Sequence, residues 1–287
     1  MKKQISVLVI SFLTLQGSVG IAKQPAYFSP PLENAMPSDE FGKVVKSGEE
    51  IFNETQKFAK PFVGNSLNCV NCHLNAGRLA NSAPLWGAYV LYPAYRKKTK
   101  QVDTLQSRIQ GCFTFSMNGK APAPDSPEIT ALVSYMYWLS TGASTGKKLA
   151  GQGYLELKKP DHEPTWDAGK KVYEKNCVLC HAADGAGQFS EGKTVFPPLW
   201  GKNSYNWGAG MHKINTAAGF IKANMPLGRG GMLSDQEAWD VAYFINSHER
   251  PKDPRQKTDV DRAKKELHEE NCSYGKEVNG SKLGSGS

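Results

Sequence analysis

The sequence predicts an all-α fold of two similar helical units, and three observations carry that prediction. A Cys-x-x-Cys-His unit occurs twice, at Cys69-Val70-Asn71-Cys72-His73 and at Cys177-Val178-Leu179-Cys180-His181. Each unit is followed by the same tetrapeptide, Pro84-Leu85-Trp86-Gly87 and Pro198-Leu199-Trp200-Gly201. Each half then closes with an aromatic-bearing segment that opens on a helix-start signal. The repeated order, with a shared tetrapeptide, points to an internal duplication.

The elements follow in chain order. Lys2 and Lys3, an apolar run over residues 5–15, and the small residues Gly20 and Ala22 form a signal peptide at residues 1–22, with cleavage near Ala22. The run is too short for a membrane span, and no later stretch is long enough to cross a bilayer. The mature chain of about 265 residues is therefore expected in the periplasm without a transmembrane segment. Residues 47–58 and 165–175 read as the helices that precede each Cys-x-x-Cys-His unit. Residues 127–139 follow Ser126, which caps with Pro127 at the first helical position, where a missing N–H costs nothing. Residues 234–247 begin with Ser234 and Glu237, a capping box in which each side chain satisfies an orphan N–H of the first turn. Between the halves, Gly142, Gly146, Gly151, Gly153 and Pro160 mark a linker. Beyond Arg250 the chain is charged and poor in apolar residues, and is expected to be disordered or loosely helical.

Six cysteines in an exported chain would ordinarily suggest disulfides. Four of them, Cys69, Cys72, Cys177 and Cys180, lie in the two repeated units, whose spacing is that of c-type haem attachment. Two thiols one turn apart add to the haem vinyl groups, and the adjoining histidine, His73 or His181, reaches the iron. Small units with few helices and long loops bury little apolar volume by themselves, and a haem at the centre of each supplies it. The expected architecture is two cytochrome c-like domains, each built around one covalently bound haem c. They span residues 23–145 and 165–250, joined by a linker at 146–164 and followed by a charged tail at 251–287.

Function then turns on the second axial ligand, which sets the potential of the iron. In the second domain that ligand is expected to be Met225, in Asn224-Met225-Pro226-Leu227-Gly228, with Met211, His212 and Met232 as neighbouring competitors. The first domain has no Met-Pro equivalent. Its corresponding segment offers Met117 and Cys112, and Cys112 has three readings: a distal ligand, a disulfide partner of Cys272, or a buried inert thiol. The net charge of +8, which becomes +6 without Lys2 and Lys3, is spread along the chain. That field attracts small anions or an acidic redox partner. No segment resembles a nucleic-acid module.

At this segment the sequence resembles the thiosulfate dehydrogenase family of di-haem cytochromes c, over residues 39–250. The resemblance rests on residues 68–78, on Tyr92-Pro93-Ala94-Tyr95-Arg96, on residues 108–119 with Arg108-Ile109-Gln110-Gly111-Cys112-Phe113, and on the second haem segment through Met225. It implies oxidation of two thiosulfate ions to tetrathionate, with two electrons leaving through the second haem to a cytochrome-type acceptor, soluble or membrane-associated. It implies ligation of the catalytic haem by His73 and Cys112, of the exit haem by His181 and Met225, and anion binding by Arg96, Arg108 and Ser116. Cys112 would leave the iron and form a persulfide-like adduct with one thiosulfate, which the second then attacks. Some members place a lysine before the methionine and exchange ligands on reduction. Asn224 stands there in this chain, so constant His181/Met225 ligation is expected. Two other readings remain at this point: a di-haem electron carrier without substrate chemistry, using Met117 and Met225, and the same enzyme working mainly as a tetrathionate reductase.

Overall fold

The computed structural model describes residues 26–268 and 271–286. The signal peptide and its cleavage point lie outside them.

The first half is framed by α1 (Glu40–Asn53) and by α6 (Pro127–Leu139), which cross in contact. Asp39 caps α1 by accepting from the Gly42 N–H at 2.9 Å, and Ser126 caps α6 by accepting from Ile129 at 3.3 Å. Between them run α2 (Thr55–Phe58), the left-handed turn α3 (Leu74–Gly77), α4 (Leu85–Tyr89), the hairpin β1 (Ala94–Arg96) with β2 (Gln101–Asp103), and α5 (Leu105–Gly111). The second half repeats the frame with α7 (Trp166–Asn176), α8 (Val178–His181), the hairpin β3 (Gln188–Ser190) with β4 (Lys193–Phe196), α9 (Ile214–Asn224) and α10 (Asp235–Asn246). The capping box at Ser234 and Glu237 is formed in both directions.

The two crossings use the same device. A Cβ on Gly48 of α1 would lie 2.1 Å from the carbonyl oxygen of Ala131 in α6, and one on Gly169 of α7 would lie 2.1 Å from that of Asp240 in α10. Only glycine lets these backbones approach so closely. The duplication is therefore carried by helix packing as well as by the cysteine motifs. The Pro-Leu-Trp-Gly copies have diverged: Trp86 is fully buried and donates Nε1–H to the Arg78 carbonyl at 2.9 Å, whereas Trp200 stacks on His248 with centroids 4.1 Å apart.

Two stretches are better ordered than their composition suggests. In the glycine-rich linker, the N–H groups of Asn81 and Ala83 donate to the carbonyls of Gly151 and Gly153 at 2.8 and 2.7 Å. Gln152 donates to the Gly87 carbonyl at 2.7 Å, which presses the linker against the first half. In the tail, the expectation of disorder is corrected. The amphipathic helix α11 (Val260–Leu267) and the hairpin β5 (Glu277–Val278) with β6 (Ser281–Lys282) enclose a small core of Trp207, Ala263, Cys272, Tyr274 and Leu283. A few well-spaced apolar residues suffice because they pack on Trp207, a large side chain from the second half that is fully buried there.

Candidate functional site: two cavities with one dividing wall

Each Cys-x-x-Cys-His unit opens on a cavity. The first, about 310 Å³, is lined by Cys69, Cys72 and His73, and also by Arg96, Arg108, Cys112, Ser116 and Met117. The second, about 440 Å³, is lined by Cys177, Cys180, His181 and Met225. Leu67, Cys72 and Met211 stand in the walls of both. Met211 therefore divides the two cavities. His212 instead turns toward the tail, and Met232 is exposed.

The donor sets fit a haem in each cavity. His73 Nδ1 is bonded to the Ala83 carbonyl at 2.7 Å and His181 Nδ1 to the Pro197 carbonyl at 2.9 Å. That contact places the proton on Nδ1 and leaves Nε2 with its lone pair for a metal. Burial, with Arg108 nearby, pushes His73 down to about 4, so the ring is neutral and ready to ligate. Burial lowers His181 as well. Thr55 accepts from the Cys69 N–H at 3.1 Å and points its hydroxyl at Cys69 Sγ at 3.3 Å, which fixes the first attachment thiol.

The segment that bears Cys112 owes its shape to a change of helical pitch. α5 begins at the Thr104 cap and passes directly into a π-helical turn, Cys112–Ser116. A π turn widens the backbone and disturbs the regular ladder. The second half and Asn65 satisfy the carbonyls of this turn. Asn206 Nδ2 donates to the Thr114 carbonyl at 3.0 Å, the Asn206 N–H to that of Phe115 at 3.2 Å, and Asn65 Nδ2 to that of Ser116 at 2.8 Å. The cavity that holds Cys112 is thus finished by the second half of the chain.

On the inner face of that segment Arg108 Nη1 donates to Cys112 Sγ across 2.8 Å. The thiol beside it, and Tyr92 and Tyr154, hold the guanidinium charge above its ordinary value despite burial. Arg96 enters from β1, donates to the Tyr92 hydroxyl, and lies 3.8 Å from Asp103. Ser116 lines the same wall, with only its carbonyl committed to Asn65. The residues predicted for the anion pocket are therefore gathered around one thiol. Cys112 is not joined to Cys272, which lies in the tail core.

Sequence reading missed three contributors. Tyr154, in the linker, lines the first cavity. Lys98 has an exposed stem, but its ammonium group is lodged 3.4 Å over the Phe115 ring and donates to the Gly208 carbonyl. Burial of that group, then Arg255 and Arg108, push it down to about 7. Arg255 covers the same ring at 5.3 Å and pairs with Asp253 at 2.6 Å. A Lys-Lys pair in a hairpin and an arginine in a charged tail carry no sequence signal of such a position.

In the second cavity, Asn224 precedes Met225. It is 5 % exposed, and its amide donates to the Asn81 and Phe220 carbonyls at 3.1 and 2.9 Å. Held that way, it offers no alternative ligand.

Comparison with known proteins agrees with the two-domain reading. Residues 48–145 match the family model described as SoxA/TsdA, cytochrome c domain, and residues 164–245 match that of Cytochrome C oxidase, cbb3-type, subunit III. The chain is 56 % identical over 260 residues to the thiosulfate dehydrogenase of Thiomonas intermedia (strain K12), covering 90 % of this chain and 83 % of that one. It is 54 % identical over 264 residues to that of Stutzerimonas stutzeri (strain A1501), covering 91 % and 86 %. A solved structure of thiosulfate dehydrogenase (TsdBA) from Marichromatium purpuratum, in its as-isolated form, superposes with a TM-score of 0.88 at 45 % identity. That match covers 91 % of this chain and 58 % of the other, so the present chain spans little more than half of that protein. No helix among the described residues is long and apolar enough to cross a membrane.

Proposed function

The chain belongs to the thiosulfate dehydrogenase family, and from that premise we infer that it joins two thiosulfate ions into tetrathionate in the first cavity and releases the electrons through the second. The observation that carries the reading is the Arg108–Cys112 contact, set in a cavity shared with His73, Arg96 and Ser116. His73 and Cys112 would hold the first haem, and His181 and Met225 the second. When bound, the two haems supply a one-electron acceptor in each cavity, enough for the pair of electrons released.

The residues have separable tasks. Thiosulfate is a dianion, so bringing two together requires fixed positive charge, and guanidinium groups meet sulfonate oxygens with paired N–H donors. Arg96 and Arg108 fill that role, with Ser116 as a neutral donor. Arg108 also directs a donor at Cys112 Sγ, the nucleophilic atom, and holds it in the cavity wall. In the first step Cys112 Sγ bonds to the sulfane sulfur of one thiosulfate, giving a cysteinyl S-thiosulfonate (Cys–S–S–SO₃⁻) and two electrons. Thiolate and thiosulfate carry three negative charges and the adduct one, so charge balances. In the second step the sulfane sulfur of another thiosulfate attacks that of the adduct. The S–S bond to Cys112 breaks, tetrathionate departs, and the thiolate is restored with no further electrons lost. This is thiol–disulfide exchange applied to a sulfonated sulfur. Lys98 and Arg255 extend the positive field beyond the cavity and draw the anion in.

Export to the periplasm, an external cytochrome acceptor and the 23–145/165–250 division complete the proposal. The test is direct: mature holoprotein given thiosulfate should reduce its own haems and yield one tetrathionate per two electrons. A protein whose haems stay oxidised with excess thiosulfate would reject the reading.

A further inference from the structure

Among the described residues, one group of metal-ligating side chains stands outside both cavities. His212, His268 and Cys272 each offer an atom, and the three atoms lie within 4.8 Å of one another. His212 and Cys272 are 4 % and 2 % exposed, and the His268 side chain is fully buried. His212 Nε2 and His268 Nδ1 are buried and receive no hydrogen bond, and His268 Nε2 has only a 3.4 Å approach to Asp253. Buried polar nitrogens left in this state are rare, because each has given up water without a replacement.

The surroundings are already those of a ligand shell. His212 Nδ1 is bonded to the Ala209 carbonyl, which fixes the ring and leaves Nε2 toward the group. Asp253 faces His268, and its carboxylate is held by Arg255 through Nε at 3.0 Å and Nη2 at 2.6 Å. Burial raises the Cys272 thiol although the Tyr274 backbone N–H lies beside it, so a metal that takes the sulfur displaces its proton. Tyr274 stacks on His268 with centroids 3.8 Å apart, and Trp207 closes the other side. A thiolate with two imidazoles in an apolar setting selects a borderline ion over magnesium or calcium. Met211, the adjacent thioether, belongs to the haem cavities, so the soft axial donor of a copper electron-transfer site is not supplied.

We propose that His212, His268 and Cys272 form a zinc-binding site that fastens the C-terminal tail to the segment bearing Met211. It joins residues more than fifty positions apart, and it adds a second tie to the apolar contacts that hold the charged tail on the cytochrome body. A metal that binds only the folded arrangement stabilises it by mass action.

The experiment uses the mature di-haem protein, incubated with zinc chloride, desalted, and analysed for zinc and iron by mass spectrometry. The expected result is about one zinc per two haem irons, together with a zinc-dependent rise in Tm of roughly 5 °C that EDTA reverses. Cys272→Ser and His268→Gln should keep both haems and lose zinc and the Tm response. Wild-type protein that retains no zinc overturns the site whether or not the variants fold, and so does zinc retained undiminished by both variants.

Discussion

Arg108 donates to the sulfur of Cys112 across 2.8 Å, one turn back along the chain and just before the helix widens into its π turn. Their spacing of four residues puts cation and thiol on the same cavity wall, and Ser116, four residues further through the π turn, lines that wall as well. The segment works as a unit, and the first two predictions separate its parts.

Replacing Cys112 with Gly should leave a protein with both haems attached, since attachment uses other thiols. Thiosulfate-dependent haem reduction should fall on the order of 100-fold or more. Electron paramagnetic resonance should show the change of axial ligand at one haem alone. Undiminished turnover would remove Cys112 from the mechanism.

Arg108→Lys keeps the charge but loses the paired donors. Loss of a charge-assisted contact predicts a fall in kcat/KM of about 10- to 100-fold. Arg108→Ala should fall further, and exogenous guanidinium should restore part of the lost rate. Equal activity of the Lys variant would show that only the field matters.

Lys98 gives a pH dependence with a definite sign. Its amine is pushed down to about 7 from the ordinary 10.5, so its charge disappears as pH rises through that value. Thiosulfate KM should therefore rise severalfold between pH 6 and 8, with kcat less affected, and Lys98→Gln should flatten the profile at the high-KM level. For folding the sign is opposite. Between about 7 and 10.5 the unfolded chain holds more protons, so stability contributed by this group increases with pH.

Met225→His should lower the potential of one haem by on the order of 0.1 V, within the span that axial ligands command. Redox titration would show a single shifted wave. The same change at Met211, the dividing residue, should perturb both waves and replace neither ligand.

Gly48→Ala and Gly169→Ala should each destabilise the holoprotein by about 1–3 kcal/mol, because backbone must shift at a helix crossing. Thermal unfolding with haem content held constant reads this out, at about 2–4 °C per kcal/mol.

Much of this was legible in the chain because the signals are local. Ser126-Pro127 and Ser234 with Glu237 locate the starts of α6 and α10 correctly, since a cap is decided by four adjacent residues. The cysteine spacing likewise singles out the two segments that line the two cavities. What the chain concealed was long-range. Gly48 and Gly169 are unremarkable until α6 and α10 lie against them. Residues 151–154 read as a spacer because their partners are carbonyls and amides 65 or more positions away. The tail read as disordered or loosely helical because Trp207, which completes its core, is far upstream. Lys98 and Arg255 come together over Phe115, an aromatic from a third segment.

The wall of Leu67, Cys72 and Met211 has a consequence for biogenesis. Cys72, read as an attachment thiol of the first cavity, also bounds the second, so joining a prosthetic group there should rebuild the side of its neighbour's chamber. The halves should therefore not mature as independent beads on a string. A substitution at Cys72 should alter both chambers, whereas Cys177, Cys180 and His181 line the second alone.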